Sequence, residues 1–347
     1  MTQAISFLHR YFLVLLLAGY VLAAVSADFG IWLREVSFGT AVIPGLGHTK
    51  VSLSLLMLSF LLFNAGLGMK VKELIHLKKT PWIFVVGLLA NILIPMMLVV
   101  ALRGFLGLWH NDEELQNLLV GLALVIAMPI AGSSTAWSQN ANGNLSISLG
   151  LVFLSTLLSP LTTPLVLSAF GHMTGGDYSE DLFELATTGT NAVLCLSVVA
   201  PALLGMLVHH LVGEERTLRL KPFLKLINFA VLLLLNYSNA STSLPQVFRH
   251  PDWDFLALVF TSTLLVCVVA FLSGWFVARL FRANRSDQAA LMFSLGMNNN
   301  GTGLVLAAAA LADHPAVMVP MISYTLVQQA IAALVDLRIF KQLRNQE

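Results

Sequence analysis

A chain of 347 residues, 57% of them hydrophobic and only 11% charged, departs sharply from soluble domains, where roughly a quarter of residues carry charge. It reads as an integral membrane protein with no hydrophilic block long enough for a separate soluble domain. A formal net charge of +1 gives no electrostatic case for nucleic acid or for an acidic partner.

A bilayer core takes about 20 apolar residues per helix. On that rule, spans fall near 9–27, 51–69, 81–106, 118–140 and 144–170. A second group falls near 187–212, 223–248, 255–281, 287–312 and 316–338. The first apolar run, Tyr11 to Ala27, is longer than a signal-peptide core and lacks a convincing cleavage site, so it reads as a span. Both cysteines, Cys195 and Cys267, lie in apolar runs and read as packing thiols. No metal-type Cys/His spacing occurs, and no cofactor is expected.

The basic residues test the count. With a cytoplasmic N-terminus, only Arg34, Lys50, Arg103 and Arg249 of the 19 Lys and Arg fall outside. Such a bias in short loops sets orientation, so both termini are expected in the cytoplasm. Ten spans then divide into two five-helix repeats, 1–170 and 187–341. Five is odd, so the second repeat is inverted relative to the first.

The fourth and ninth spans occupy equivalent places, and each is interrupted. One carries "MPIAGSSTAWSQNANGN" (128–144) and the other "GMNNNGTG" (296–303). Paired broken helices in inverted repeats are the sequence signature of a secondary transporter's central site. Non-helical backbone at membrane depth is tolerated where it is buried in protein or lines a wet cavity. Half-helix N-termini there offer N–H groups and partial positive charge to an anion. Ser133, Ser134, Thr135, Asn298, Asn299 and Asn300 are therefore candidate substrate ligands. Gln328 and Gln329 in the tenth span are added, with at least one of them expected to be structural.

Other polar positions are less decisive. Asn144, Ser148, Ser155 and Ser159 share one face of the fifth helix, interrupted by Val152. "NYSNASTS" (236–243) either lines an aqueous cleft or marks a helix face packed on protein. Asn91, four residues before Pro95, is a further candidate, and Asp336 falls near the inner end of the last span. Neither interruption contains an acid or a histidine, so an obvious proton carrier is missing. Ser134 as an enzyme nucleophile would lack a base, so no enzyme is expected. A channel is a further alternative.

These landmarks carry a resemblance. "GSST" after "MP", "GN" followed by Ser148, "STLLSPLTTP" (155–164) and "GMNNNG" (296–301) resemble the bile acid:sodium symporter family over essentially the full length. The resemblance implies a bacterial inner-membrane protein with an all-α fold of ten helices in two inverted five-helix repeats. Helices 3–5 and 8–10 would form a core, and helices 1, 2, 6 and 7 a panel. The fourth and ninth helices would be unwound and crossing. Substrates would be amphipathic or small organic anions, moved by alternating access. At the family's sodium sites the chain departs from the pattern. Ser294 stands where sodium-coupled members have a glutamate, Val152 where they have a threonine, and Thr135 where they have an asparagine. Ser134, Ser148 and Asn298 match oxygen-bearing positions. Without a carboxylate the burial of a cation is costly, so uniport or exchange without sodium is the expectation. Sodium-coupled symport through a weak site of neutral ligands is the alternative.

Overall fold

The computed structural model describes residues 11–43, 47–69, 80–189 and 193–340. Both chain ends, with Arg10, Lys341 and Arg344, lie outside the described residues, as do Lys70, Lys72, Lys78 and Lys79. In chain order, α1 is Phe12–Val25, α2 Asp28–Glu35, β1 Ser37–Ile43, β2 Gly47–Ser52, α3 Leu53–Leu67, α4 Pro81–Leu106, α5 Asp112–Ala127, α6 Ser133–Asn140 and α7 Leu145–Gly171. Then follow α8 Gly176–Glu184, α9 Cys195–Val212, α10 Glu214–Ala240, α11 Leu244–Arg249, α12 Trp253–Leu280, α13 Arg285–Gly296, α14 Asn300–Ala310 and α15 Pro315–Phe340.

Among the described residues, six helices are long and apolar enough to cross a bilayer, or seven if the bent pair α1–α2 is one span. The shortfall against ten has a physical origin. α3 has 15 residues, short for a hydrocarbon core, and the fourth and ninth expected spans are broken into the shorter helices α5/α6 and α13/α14. The fold is otherwise helical, as expected, with one local exception among the described residues. The segment before α3 forms an antiparallel hairpin, with Thr40 opposite Lys50 and Val42 opposite His48. Its register shifts between Ser37 and Thr40, where Gly39 takes φ +111°. Thr40, Val42 and Ile43 are β-branched and favour extended backbone. The 213–222 stretch, expected as a loop, is helical from Glu214 onward, with Arg219 bonded to Glu215 at 2.6 Å across one turn.

The chain divides into two compact units. Unit one holds Met1–Val71, Glu184–Trp253 and Gly301–Val319. Here α1 turns through 93° into α2, and the "NYSNASTS" stretch of α10 satisfies that bend. The Tyr237 hydroxyl donates to the carbonyl of Ser26 at 2.6 Å, Ser238 to that of Gly30 at 2.9 Å, and Tyr20 to Asn236 Oδ1 at 3.0 Å. A Cβ on Gly30 would overlap Ser241, so the contact requires glycine. The stretch packs on protein, which decides between its two readings. Elsewhere in unit one, Arg34 donates to the carbonyl of Ala308 near the end of α14, where a helix has free carbonyls. α3 and α9 cross so closely that a Cβ on Gly66 would strike the Ala202 carbonyl, and one on Gly205 that of Phe63. Small residues are what permit such approach between membrane helices.

Unit two holds Lys72–Phe183, Asp254–Asn300 and Pro320–Glu347. Its core is dense around both interruptions: Leu118 to Ile130 of the first, and Ala289 to Asn298 of the second, are almost wholly buried. Asn144 pins this unit at the α6–α7 turn. Its side chain caps α7 by accepting from the N–H groups of Ser146 and Ile147 and donates to Asp287 at 2.7 Å.

Candidate functional site

The two interruptions meet. α5 stops at Ala127, the residue before Met128 and Pro129, and α6 begins at Ser133; α13 stops at Gly296 and α14 begins at Asn300. Between those ends, Ile130 and Asn298 form an antiparallel β-bridge. The Ala131 N–H donates to Met297 O at 2.9 Å, and the Asn299 N–H donates to Pro129 O at 2.8 Å. Two short extended segments thus satisfy one another inside unit two, as unwound backbone away from water must.

α7 completes the repair. The Ser155 hydroxyl accepts from the Ile130 N–H at 3.0 Å, and Thr163 donates to Ala127 O at 2.7 Å. Pro160 cannot supply an N–H to the carbonyl of Thr156, and the Ser159 hydroxyl takes that place at 2.8 Å. The serine stripe is thus mostly a backbone-repair device.

The candidate residues separate by their partners. Asn298 is 2% exposed and fully engaged. Its Nδ2 donates to Val125 O at 2.9 Å, its Oδ1 accepts from Asn91 at 3.3 Å, and its own N–H donates to Gln328 Oε1 at 3.1 Å. Gln328 returns a bond to Asn298 O at 3.3 Å. Gln329 is buried and accepts from the indole N–H of Trp137 at 3.1 Å. Asn300 is buried and donates to Thr325 at 3.1 Å, while its Oδ1 has no partner among the described residues. Ser134 is fully buried, and its hydroxyl has no hydrogen-bond partner there either. Ser133 is exposed, and Thr135 and Asn299 are half-buried.

Ser294, Ser148 and Thr135 form a chain of hydroxyls. Ser294 donates to Ser148 at 3.2 Å, and Ser148 donates to Thr135 at 3.3 Å. Val152 is buried on the same helix as Ser148 and contributes only its carbonyl, which accepts from Ser155 and Thr156. Asp336 is buried near the end of α15.

Sequence reasoning missed Thr325 and Trp137, whose polar groups hold Asn300 and Gln329. A threonine or tryptophan in an apolar helix gives no signal of its own. Asn91, an asparagine in an apolar run beside Pro95, was legible and bonds both Asn298 and the carbonyl of Leu295.

Known proteins resemble this chain. Residues 55–250 match the family described as the Sodium Bile acid symporter family. The Bacillus subtilis protein YbaS is 30% identical over 220 residues, covering 62% of this chain and 67% of its own. YocS of Bacillus subtilis, named as a sodium-dependent transporter, is 24% identical over 283 residues, or 81% of each chain. BASS2 of Oryza sativa subsp. japonica, named as a probable chloroplastic sodium/metabolite cotransporter, is 24% identical over 252 residues, 72% of this chain and 55% of its own. With the match spanning more than half its length, this multi-pass membrane protein belongs to the Sodium Bile acid symporter family.

Proposed function

We propose that the protein is a secondary transporter of an organic anion, either amphipathic and bile-acid-like or a small carboxylate, working by alternating access and without sodium coupling. Membership of a family of transporters supports the transport reading. We assign ten spans in two inverted five-helix repeats, with both termini cytoplasmic. The grouping of α4–α7, α12, α13 and the greater part of α15 in one compact unit supports reading that unit as the core.

The anion's carboxylate is assigned to the α6 end of the crossing. Ser133 is exposed, Asn299 is half-buried, and Ser134 has a buried hydroxyl with no partner among the described residues. An unpaired buried hydroxyl costs about 1–3 kcal/mol, and a carboxylate oxygen would repay it. Thr135 accepts from Ser148, which leaves its own proton to donate. Asn298 and Gln328 support the crossing backbone.

The observation that carries the sodium-free reading is the hydroxyl chain Ser294–Ser148–Thr135. It is neutral where the family resemblance implies a carboxylate, and no acid occurs in residues 128–135 or 294–300. A buried cation without a counter-charge is costly. The second reading is sodium symport through these neutral oxygens, and the names of YocS and BASS2 favour it.

A thermal-shift series of organic anions in detergent, with and without sodium, identifies a ligand. Counterflow of that ligand in proteoliposomes then decides. Expected is saturable counterflow that changes less than about twofold, a coupling below about 0.4 kcal/mol, when a large inert cation replaces sodium. Strong sodium dependence establishes the second reading. Flux without saturation or counterflow indicates a channel instead.

A further inference from the structure

The structure assigns a divalent transition-metal site, suited to zinc, to His110, Glu114 and Asp254 of unit two, away from the helix crossing. Each offers one ligand atom, and the three atoms lie within 4.8 Å of one another. His110 Nε2 is already 3.2 Å from Asp254 Oδ2. Tetrahedral zinc with bonds of about 2.0–2.2 Å separates neighbouring ligand atoms by about 3.4 Å, so an ion draws the widest pair together by at most about 1.4 Å while the His110–Asp254 pair opens slightly.

The donor set specifies the ion class. One imidazole and two carboxylates suit zinc and its first-row neighbours, whereas magnesium and calcium take oxygen alone. A fourth position is left for water. Two of the three ligands belong to first helical turns: Glu114 to that of α5 and Asp254 to that of α12. His110 comes from the short turn between α4 and α5. A bound ion therefore ties three elements of the unit together.

The third ligand is held ready. Glu114 is only 8% exposed, yet its carboxylate stays within reach of the other two ligands. One oxygen accepts from the Trp109 indole N–H at 2.7 Å and the other from Asn111 Nδ2 at 2.5 Å. Each oxygen keeps a further lone pair. Donors that fix a liganding carboxylate in this way are the outer partners that tune metal sites. The Trp109 ring also lies against the His110 ring, with centroids 4.9 Å apart. The His110 and Asp254 side chains are 64% and 54% exposed, so an ion reaches them directly. A His110–Asp254 ion pair alone would not require a clamped third carboxylate beside it.

The test uses the full chain, freed of any affinity tag and washed with chelator, in detergent. Zinc chloride is titrated calorimetrically, and thermal unfolding is followed in parallel. Expected is one zinc per chain with a dissociation constant on the order of micromolar. H110A and D254N, both at exposed positions, should each weaken binding about tenfold or more. At the same zinc concentration the unfolding temperature of the wild type should rise more than that of either variant. Absence of binding to wild type, or equal binding by both variants, overturns the assignment. The site is independent of the substrate reading and of sodium coupling.

Discussion

Asn298 and Gln328 hold each other twice at the crossing: the backbone N–H of Asn298 donates to Gln328 Oε1 at 3.1 Å, and Gln328 Nε2 donates back to Asn298 O at 3.3 Å. A single side chain thereby serves both backbone groups of a residue that has left helical geometry. Gln328→Leu leaves that N–H buried without this partner, at roughly 1–3 kcal/mol, while the carbonyl keeps the Asn300 N–H at 3.0 Å. The expected outcome is a fall of several degrees in the unfolding temperature in detergent, with transport lost as a consequence. An unfolding temperature equal to the wild type would remove Gln328 from this role.

Asn299 sits one residue away and behaves differently in the proposed site. Its N–H is engaged by Pro129, while its side chain is half-buried. Asn299→Leu is therefore expected to keep a folded, extractable protein with near-normal unfolding temperature. Its anion affinity should drop about tenfold or more, at least about 1.4 kcal/mol. Normal binding by Asn299→Leu would move the substrate site away from the second interruption.

The α3–α9 crossing gives a prediction about the fold alone. Gly66→Ala and Gly205→Ala each drive a methyl group into a carbonyl oxygen of the facing helix, and backbone cannot rotate aside as a side chain can. Overpacking of this kind costs about 1–3 kcal/mol or more. Gly19→Ala and Gly104→Ala are the controls, since a Cβ there meets nothing within 4 Å. They should be neutral or slightly stabilising, because Gly costs about 1 kcal/mol relative to Ala inside a helix. Thermal unfolding of the four variants checks the contrast.

The two interruptions were legible because polarity inside an apolar run is itself a signal. "GMNNNG" and "GSST" marked the segments that leave helical geometry, and Ser155 and Ser159 were found on the helix that repairs them. The serines' task was not legible, since a hydroxyl in a membrane helix serves ligand or backbone equally well until its neighbour is known. The 93° bend between α1 and α2 carries no proline. It is stabilised by Tyr237 and Ser238, more than 200 residues away in sequence. The hairpin before α3 has no apolar run of helical length to mark it, and His48, Thr49 and Lys50 look like an ordinary polar loop.

Ser294 and Ser148 provide the most discriminating variants for coupling. In the proposed sodium-free protein their hydroxyls only bond one another and Thr135. Each neutral hydrogen bond lost, one for Ser294→Ala and two for Ser148→Ala, costs about 0.5–1.5 kcal/mol, and that loss acts on the fold. Ser294→Ala and Ser148→Ala should therefore lower the unfolding temperature slightly and leave uptake equally indifferent to sodium. If the same oxygens hold sodium, the outcome differs in kind. Removing Ser148, the middle of the chain, would delete a cation ligand and raise the sodium concentration for half-maximal uptake about tenfold, since each such factor is about 1.4 kcal/mol of lost binding. Uptake measured against sodium concentration for wild type and both variants separates the cases. A curve that is flat in all three supports the neutral chain as a structural replacement for a cation site, and a rightward shift confined to the variants assigns the chain to sodium.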